Sequence, residues 1–448
     1  MIKINPREIV CRILTEVESE GQFGNIALKK ELKANGAMKA QDRAFVTEAV
    51  NGTLRNIIYI DYCINSFSTV KTEKMKPWVL AVMRCAVYQL IFMSVPQSAA
   101  IDEAVKLIKG RNLDGLAGFV NAVLRKISDN IDNIVLPEES KNPAEYISIK
   151  FSHPLWLVKM WISAYGEDFT KKLCMADTLA APVNISTNTL KCTADELKKA
   201  LETEGMSVRK GNFLSDTLII SKTGDISKSR AFAEGMFHVQ DESSALAVNI
   251  LAPKSGENIL DVCAAPGGKS VLAAEIMKNK GKITARDIFD HRLMLIDDTA
   301  RRLGIDIIKT ENKDASVFDE KDEFAFDRVI ADVPCSGLGL MRKKADIRLR
   351  KNGNDIDLLL VLQKKILEVS SKYVKKGGIF VFCTCTICKK ENIGNLKWIL
   401  ENLPFEQCEL SLAQGAEPID GYKCAVQLFP SVHNTDGFFI AKLRRKEI

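Results

Sequence analysis

The chain has 448 residues, 46% of them hydrophobic and 27% charged, with a formal net charge of +6. That is enough for two or three domains with their own cores, and a balance that permits a polyanionic partner without demanding one. A disulfide scaffold, a membrane span and a signal peptide are all disfavoured. The twelve cysteines lie scattered from Cys11 to Cys424, no run reaches eighteen apolar residues, and Arg7, Glu8 and Arg12 interrupt the first apolar stretch. A cytoplasmic protein with reduced thiols and no membrane contact is expected.

Residues 3 to about 128 read almost wholly as helix. From Pro77 to Phe92, Val79, Met83, Ala86 and Leu90 share one face, and Leu80, Val87 and Ile91 continue onto the next, as a helix inside a bundle requires. Pro77 suits a first turn and Pro96 closes the segment. Between Asp129 and Pro143 the chain becomes acidic, asparagine-rich and proline-punctuated, the mark of a linker. An aromatic-rich helical piece, His153 to Phe169, follows. Val183 to Thr187 and Leu218 to Ser221 read as strands, with a capping box at Thr193 and Glu196 opening a helix through Glu204. The expected domains are an all-helical one over 1–130 and a small α+β one over 145–235.

From Phe237 onward strand and helix alternate. Asn258 to Val262, Ile283 to Arg286, Phe326 to Ala331 and Ile379 to Phe382 are short apolar strands, separated by helical stretches at 271–278, 292–303 and 358–374. That alternation predicts a third domain over 236–448, a doubly wound, Rossmann-like parallel sheet with helices on both faces.

In such a sheet, ligands bind at the carboxyl ends of the strands where the strand order reverses. The loop Cys263-Ala264-Ala265-Pro266-Gly267-Gly268-Lys269 falls there, and its glycines let a ligand approach the main chain. Twenty residues past Gly267 stands Asp287, placed to accept hydrogen bonds from the two hydroxyls of an adenosine ribose. Asp314 and Asp332, later in the same alternation, add acids to this edge. A phosphate loop needs glycine where Cys263 stands, and no Gly-x-Gly-x-x-Gly is present, so ATP and dinucleotides are disfavoured. S-adenosylmethionine carries no phosphate and suits a proline-containing loop with few free amides. A plain tight turn remains the bland reading.

Two thiols follow at successive strand ends, Cys335 in Val333-Pro-Cys-Ser336 and Cys385 in Cys383-Thr-Cys-Thr386. In a doubly wound sheet those loops converge. A thiolate that adds to carbon 6 of cytosine makes carbon 5 nucleophilic enough to take a methyl group, and a second group then assists release. Nearby positive charge should favour the thiolate, with Lys269, Lys389 and Lys390 as candidates. Asp332 could hold the exocyclic amine or ring nitrogen of the base. Buried packing cysteines are the commoner alternative for either thiol alone. Cys383 and Cys388 raise a zinc reading, but only four histidines exist and none lies close, so no metal is expected. Arg342, Lys343, Lys344 and Arg348, with Arg350 and Lys351, could neutralise phosphates beside Cys335, or be a solvated basic helix end.

Taken together, Asp261-Val-Cys-Ala-Ala-Pro-Gly-Gly-Lys269, Ala331-Asp-Val-Pro-Cys-Ser-Gly-Leu-Gly339 and Thr384-Cys-Thr386, with Glu391-Asn392 after them, resemble the RNA 5-methylcytosine methyltransferases, and among them the RsmB (Sun/Fmu) family. Val239-Gln-Asp-Glu-Ser-Ser244 is similar to the segment that opens the family's catalytic domain, and Gly437-Phe-Phe439 to its closing strand. Asp42 to Phe45 and Gly52 to Arg55 resemble a NusB-type helical domain. The resemblance implies Cys385 as nucleophile, Cys335 as the aid to elimination, and Cys263 to Lys269, Asp287, Asp314 and Asp332 around the cofactor. It further implies cytosine in 16S ribosomal RNA as substrate; free or partly assembled small-subunit RNA as the partner, and a monomer, are separate expectations. Transfer RNA as substrate, or a non-catalytic RNA-binding assembly factor, are the alternatives. Ala345 and Leu349, and Lys389-Lys390 ahead of Glu391, depart from the family pattern.

Overall fold

The computed structural model describes residues 5–221, 224–351, 353–412 and 415–447. They form two compact units, Met1–Ala180 with Met341–Lys351, and Ala181–Leu340 with Asn352–Ile448. Among the described residues no helix is long and apolar enough to cross a membrane.

The first unit is helical, and its centre is the helix Pro77–Phe92. Every residue from Val79 to Leu90 is buried, a wider apolar surface than the two faces read from the periodicity, because helices pack around it on all sides. One of them approaches very closely at Gly52, where a Cβ would come within 2.0 Å of the Tyr88 ring. Arg84, buried on this central helix, is tied by two hydrogen bonds of 2.7 and 2.8 Å to Asp61, which meets the requirement that a buried charge be paired. The connection from Asp129 to Pro143 contains a short 3-10 turn, Ile131–Asn133, and both of its ends lie within the same compact unit. The helical piece expected at 153–169 is two helices, Leu155–Tyr165 and Glu167–Asp177, divided at Gly166 with φ +83°. Both belong to the compact helical unit, whereas the sequence pattern grouped residues 145–180 with the strands that follow.

The segment 341–351 also belongs here, and it corrects one expectation. Arg348 is 2% exposed, and its guanidinium donates to the backbone carbonyls of Arg55, of Ser152 at 2.9 Å and of Asp177 at 3.5 Å. Burial lowers its pKa to about 10. Arg342 is also buried and donates to the Ala180 carbonyl at 3.1 Å. Neither of these two side chains is presented to a phosphate. Lys343 and Lys344 are exposed. Ala345 sits in the helical core, and Asp346 accepts the Gly24 N–H at 3.1 Å.

The second unit opens with strands β1 (Val183–Thr187), β2 (Ser207–Lys210), β3 (Thr217–Ser221) and β4 (Phe237–Val239), in an antiparallel sheet of order β2-β3-β1-β4. The helix Ala194–Thr203 begins with both halves of the Thr193–Glu196 capping box.

The main sheet contains β5 (Asn258–Asp261), β6 (Lys282–Asp287), β7 (Ile308–Asn312), β8 (Phe326–Asp332), β9 (Val374–Thr384), β10 (Phe405–Gln407), β11 (Pro418–Ile419), β12 (Tyr422–Leu428) and β13 (Phe438–Arg445). Among the described residues its order is β11-β12-β13-β9-β8-β5-β6-β7, with β10 beside β13. Strands β5 to β9 are parallel, as the alternation predicts. The sheet is then extended by β13 and β12, which run in antiparallel pairs. Consecutive residues enter opposite cores: Ile259, Ile330 and Val381 pack on one face, Leu260, Val329 and Phe380 on the other. Both faces are therefore covered, which is why these strands read as unbroken apolar runs.

Candidate active site

From β5 the chain steps one way to β6 and β7 and the other way to β8 and β9, so the order reverses between β5 and β8. The loop Cys263–Gly267 leaves the end of β5 at this crevice, where a doubly wound sheet binds its ligand. Asp287 ends β6, Asp314 lies two residues past β7, Asp332 ends β8, and Cys385 directly follows β9. All five features thus lie on one edge of the sheet.

The loop is held from several sides. Ala264 N–H donates to the Arg286 carbonyl at 2.7 Å, and Gly267 N–H turns back to Ala264 at 2.8 Å. Gly267 has φ +103°, a conformation that favours glycine, and a Cβ there would press against Ile296 at 3.1 Å. The helix Gly268–Ile276 starts immediately after it, and Ser270 Oγ donates to the buried Asp261 at 2.8 Å. Arg292 joins loop to acid: it donates to the Ala265 carbonyl at 2.9 Å and pairs with Asp287 at 3.1 Å. Asp287 also accepts the Phe289 N–H at 3.2 Å. The Ser316 N–H at 2.8 Å holds the Asp314 carboxyl below its ordinary pKa.

This donor set fits a phosphate-free adenosine group. The loop's cation, Lys269, is committed to Asp332, and burial, which would lower its pKa, is outweighed by that carboxylate. The acceptors Asp287 and Asp314 suit hydroxyl and amine donors and would repel a phosphate.

On the other side of the crevice, Cys335 Sγ lies 3.3 Å from Cys385 Sγ, although fifty positions separate them. The Gly339 N–H donates to the Cys385 carbonyl at 3.1 Å, fastening the two loops backbone to backbone. Gly339 in turn passes so close to Gly437 that a Cβ would sit 1.8 Å from the Gly437 carbonyl. The Cys335 thiol is pushed well above its usual pKa by its hydrogen bond to Cys385, then by burial and by the charges of Cys385, Glu391 and Asp332. The expected cationic help is largely committed elsewhere: Lys269 is on Asp332, and the exposed Lys390 reaches Asp357 at 3.4 Å. Cys383 and Cys388 are buried, and among the described residues no group of three or more His, Cys, Asp or Glu could hold a metal.

Behind the thiols lies a network that the sequence reading passed over. Ser336, Gln363, Thr386, Glu391, Asn392 and Asn395 are all buried and hydrogen-bonded to one another. Ser336, Thr386 and Glu391-Asn392 stand in the quoted motifs, without a role of their own; Gln363 and Asn395 left no sequence signal.

Residues 248–444 match the family model described as 16S rRNA methyltransferase RsmB/F, residues 4–129 the NusB family, and residues 153–227 the ferredoxin-like domain of RsmF/B-like methyltransferases. The probable ribosomal RNA small subunit methyltransferase B of Bacillus subtilis is 37% identical over 454 residues, covering all of both chains. The chain belongs to the RsmB/F family. Two solved structures agree. The crystal structure of PH0851 covers 99% of this chain and 100% of its own at 30% identity, with a TM-score of 0.84. A methyltransferase homologue from Pyrococcus horikoshii covers 67% of this chain and 97% of its own at 28% identity, with a TM-score of 0.60. This RsmB/F member is accordingly a ribosomal RNA methyltransferase with S-adenosylmethionine as methyl donor, built from NusB-like, ferredoxin-like and Rossmann-like parts.

Proposed function

We propose that the protein methylates carbon 5 of a cytosine in 16S ribosomal RNA, with Cys385 as nucleophile and Cys335 as the aid to elimination. The observation that carries this reading is the 3.3 Å approach of the two sulfurs at the ends of adjacent strands, beside the cofactor loop.

The chemistry follows from that pair. Cys385, as thiolate, forms a bond to carbon 6, and the electrons of the 5,6 double bond move to carbon 5. S-adenosylmethionine, when bound by the 263–269 loop, Asp287 and Asp314, supplies an electrophilic methyl group to that carbon. A base then takes the carbon 5 proton, the freed pair re-forms the double bond, and the C6–S electrons return to Cys385. The Cys335 S–H, within hydrogen-bonding reach of the departing sulfur, lowers the cost of that last step. Asp332, at the end of β8 next to the Pro-Cys loop, is the acceptor for the amino edge of the base. The target base must be unstacked to reach the thiols. Lys343 and Lys344 contribute sequence-independent phosphate contacts. The enzyme acts as a cytoplasmic monomer on free or partly assembled small-subunit RNA.

The test is nucleoside analysis of 16S RNA incubated with enzyme and labelled S-adenosylmethionine. 5-Methylcytidine must form with wild type and be lost with Cys385→Ala. Label on another base or at another position would overturn the reading, as would an active Cys385→Ala enzyme.

A further inference from the structure

Each thiol is followed by a hydroxyl residue, Ser336 after Cys335 and Thr386 after Cys385, and one carboxylate engages both. Glu391 Oε1 accepts the Ser336 backbone N–H at 2.8 Å and Gln363 Nε2 at 2.9 Å. Its Oε2 accepts Ser336 Oγ, and Thr386 Oγ1 at 3.3 Å. The two hydroxyl oxygens are themselves 2.8 Å apart. Four donors fill the lone-pair positions of a carboxylate, and Glu391 is completely buried with them.

The residue before each cysteine is held as well, Pro334 from the helix Gly353–Tyr373 and Thr384 from the turn that carries Glu391. Gln363 Nε2 donates to the Pro334 carbonyl at 2.9 Å, and Thr384 Oγ1 donates to Asn392 Oδ1 at 2.6 Å. Asn395 Nδ2 completes the frame, reaching Gln363 at 2.7 Å and the Glu391 carbonyl at 3.0 Å. Glu391 itself lies in the π-helical turn Lys390–Gly394, a departure from regular helix of the kind found at functional sites. Ser336, Thr384 and Thr386 are thus tied directly to this turn, and Pro334 through Gln363, which donates to both Pro334 and Glu391.

We infer that Glu391 is the positioning residue of the thiol pair, holding Ser336 and Thr386 so that the two sulfurs face one ring. This rests on the reading that Cys385 adds to the base and Cys335 aids its release. A carboxylate at this place also adds negative charge near Cys335, whose thiol pKa is raised first by Cys385 and by burial and further by Glu391. Charge and geometry both keep the sulfurs in different roles.

The experiment uses the full chain and purified 16S RNA, and measures kcat, both KM values, calorimetric binding of S-adenosylmethionine, and the fraction of enzyme held as a covalent RNA adduct. Glu391→Ala is expected to lower kcat by about a hundredfold, the usual cost of a misplacement near 1 Å, with cofactor and RNA KM within about threefold of wild type. Glu391→Gln keeps one oxygen, and the two hydroxyls can turn to accept its amide, so it should recover about tenfold of that loss. If Glu391→Ala fails to fold, the double variant Ser336→Ala/Thr386→Val cuts both hydroxyl links while leaving Glu391 in place, and its kcat should fall at least about tenfold. A folded variant of either kind with wild-type kcat and adduct level overturns the inference. So does a kcat loss in Glu391→Ala matched by an equal loss of cofactor binding, which would mark a general structural role. Cys385→Ala run in parallel separates the two failures. If it abolishes 5-methylcytidine while the Glu391 variants behave as wild type, only the positioning role falls; if it still makes 5-methylcytidine, the underlying reading falls.

Discussion

Lys269 and Asp332 form an ion pair that joins the first turn of the helix after β5 to the last residue of β8, across the point where the strand order reverses. Their side chains are 12% and 23% exposed, so each charge depends on the other for solvation. The ammonium also lies 5.5 Å from the centre of the Phe438 ring on β13.

Removing either partner should therefore be costly, and removing both less so. Asp332→Asn and Lys269→Met are each expected to destabilise the protein by about 3 kcal/mol, the usual penalty for an uncompensated buried charge. The double variant should recover at least about half of the summed loss. Urea denaturation of the four proteins checks this, and strictly additive losses would contradict it.

Arg348 makes a second prediction, with stability and RNA binding moving apart. Its guanidinium is spent on three backbone carbonyls within the helical unit, so Arg348→Ala should cost about 3 kcal/mol of stability and leave the salt dependence of RNA affinity unchanged. Lys343→Gln or Lys344→Gln should do the reverse, each lowering the slope of log affinity against log salt by about 1 at constant stability. Filter binding across salt concentrations distinguishes them. A reduced slope in Arg348→Ala would restore it as a phosphate contact.

Much of this was legible in the chain, and the reasons are physical. The parallel strands could be read because both faces of the sheet are buried, which leaves runs such as Ile379 to Phe382. Strand β2, Ser207–Lys210, could not, since three of its four residues face solvent as an edge strand and show no apolar pattern. Strand β7, outside the four apolar strands expected, is an edge strand of the main sheet with a mostly polar sequence. The convergence of Cys335 and Cys385 followed from their places at the ends of adjacent strands. The partners of Arg348 did not, because Arg55, Ser152 and Asp177 are far away in sequence and a basic cluster looks the same whether it meets phosphate or carbonyl. Gln363 and Asn395 carry no spacing signal at all; only folding brings them to Glu391.

The buried acid Asp261 predicts a pH effect. Burial pushes its carboxyl up to about 6, against the opposing pull of Lys269 and Ser270. Its ordinary value in an unfolded chain is about 4, so between about pH 4 and pH 6 the folded protein holds a proton that the unfolded chain has released. Stability contributed at this position is full below that window and falls as pH rises through it, by on the order of 3 kcal/mol. Asp261→Asn removes the titration. The unfolding free energy of wild type minus that of the variant should become more negative from pH 4 to pH 6.5 and be flat on either side; a flat or rising difference within the window would contradict the assignment.

The division of labour between the two sulfurs is tested most directly by looking for enzyme covalently attached to RNA on denaturing gels, after incubation with S-adenosylmethionine, for wild type, Cys335→Ala and Cys385→Ala. The account predicts that Cys335→Ala accumulates the adduct, with the methyl group already transferred, and that Cys385→Ala forms neither adduct nor 5-methylcytidine. Adduct formation by Cys385→Ala, or normal product release by Cys335→Ala, would contradict it.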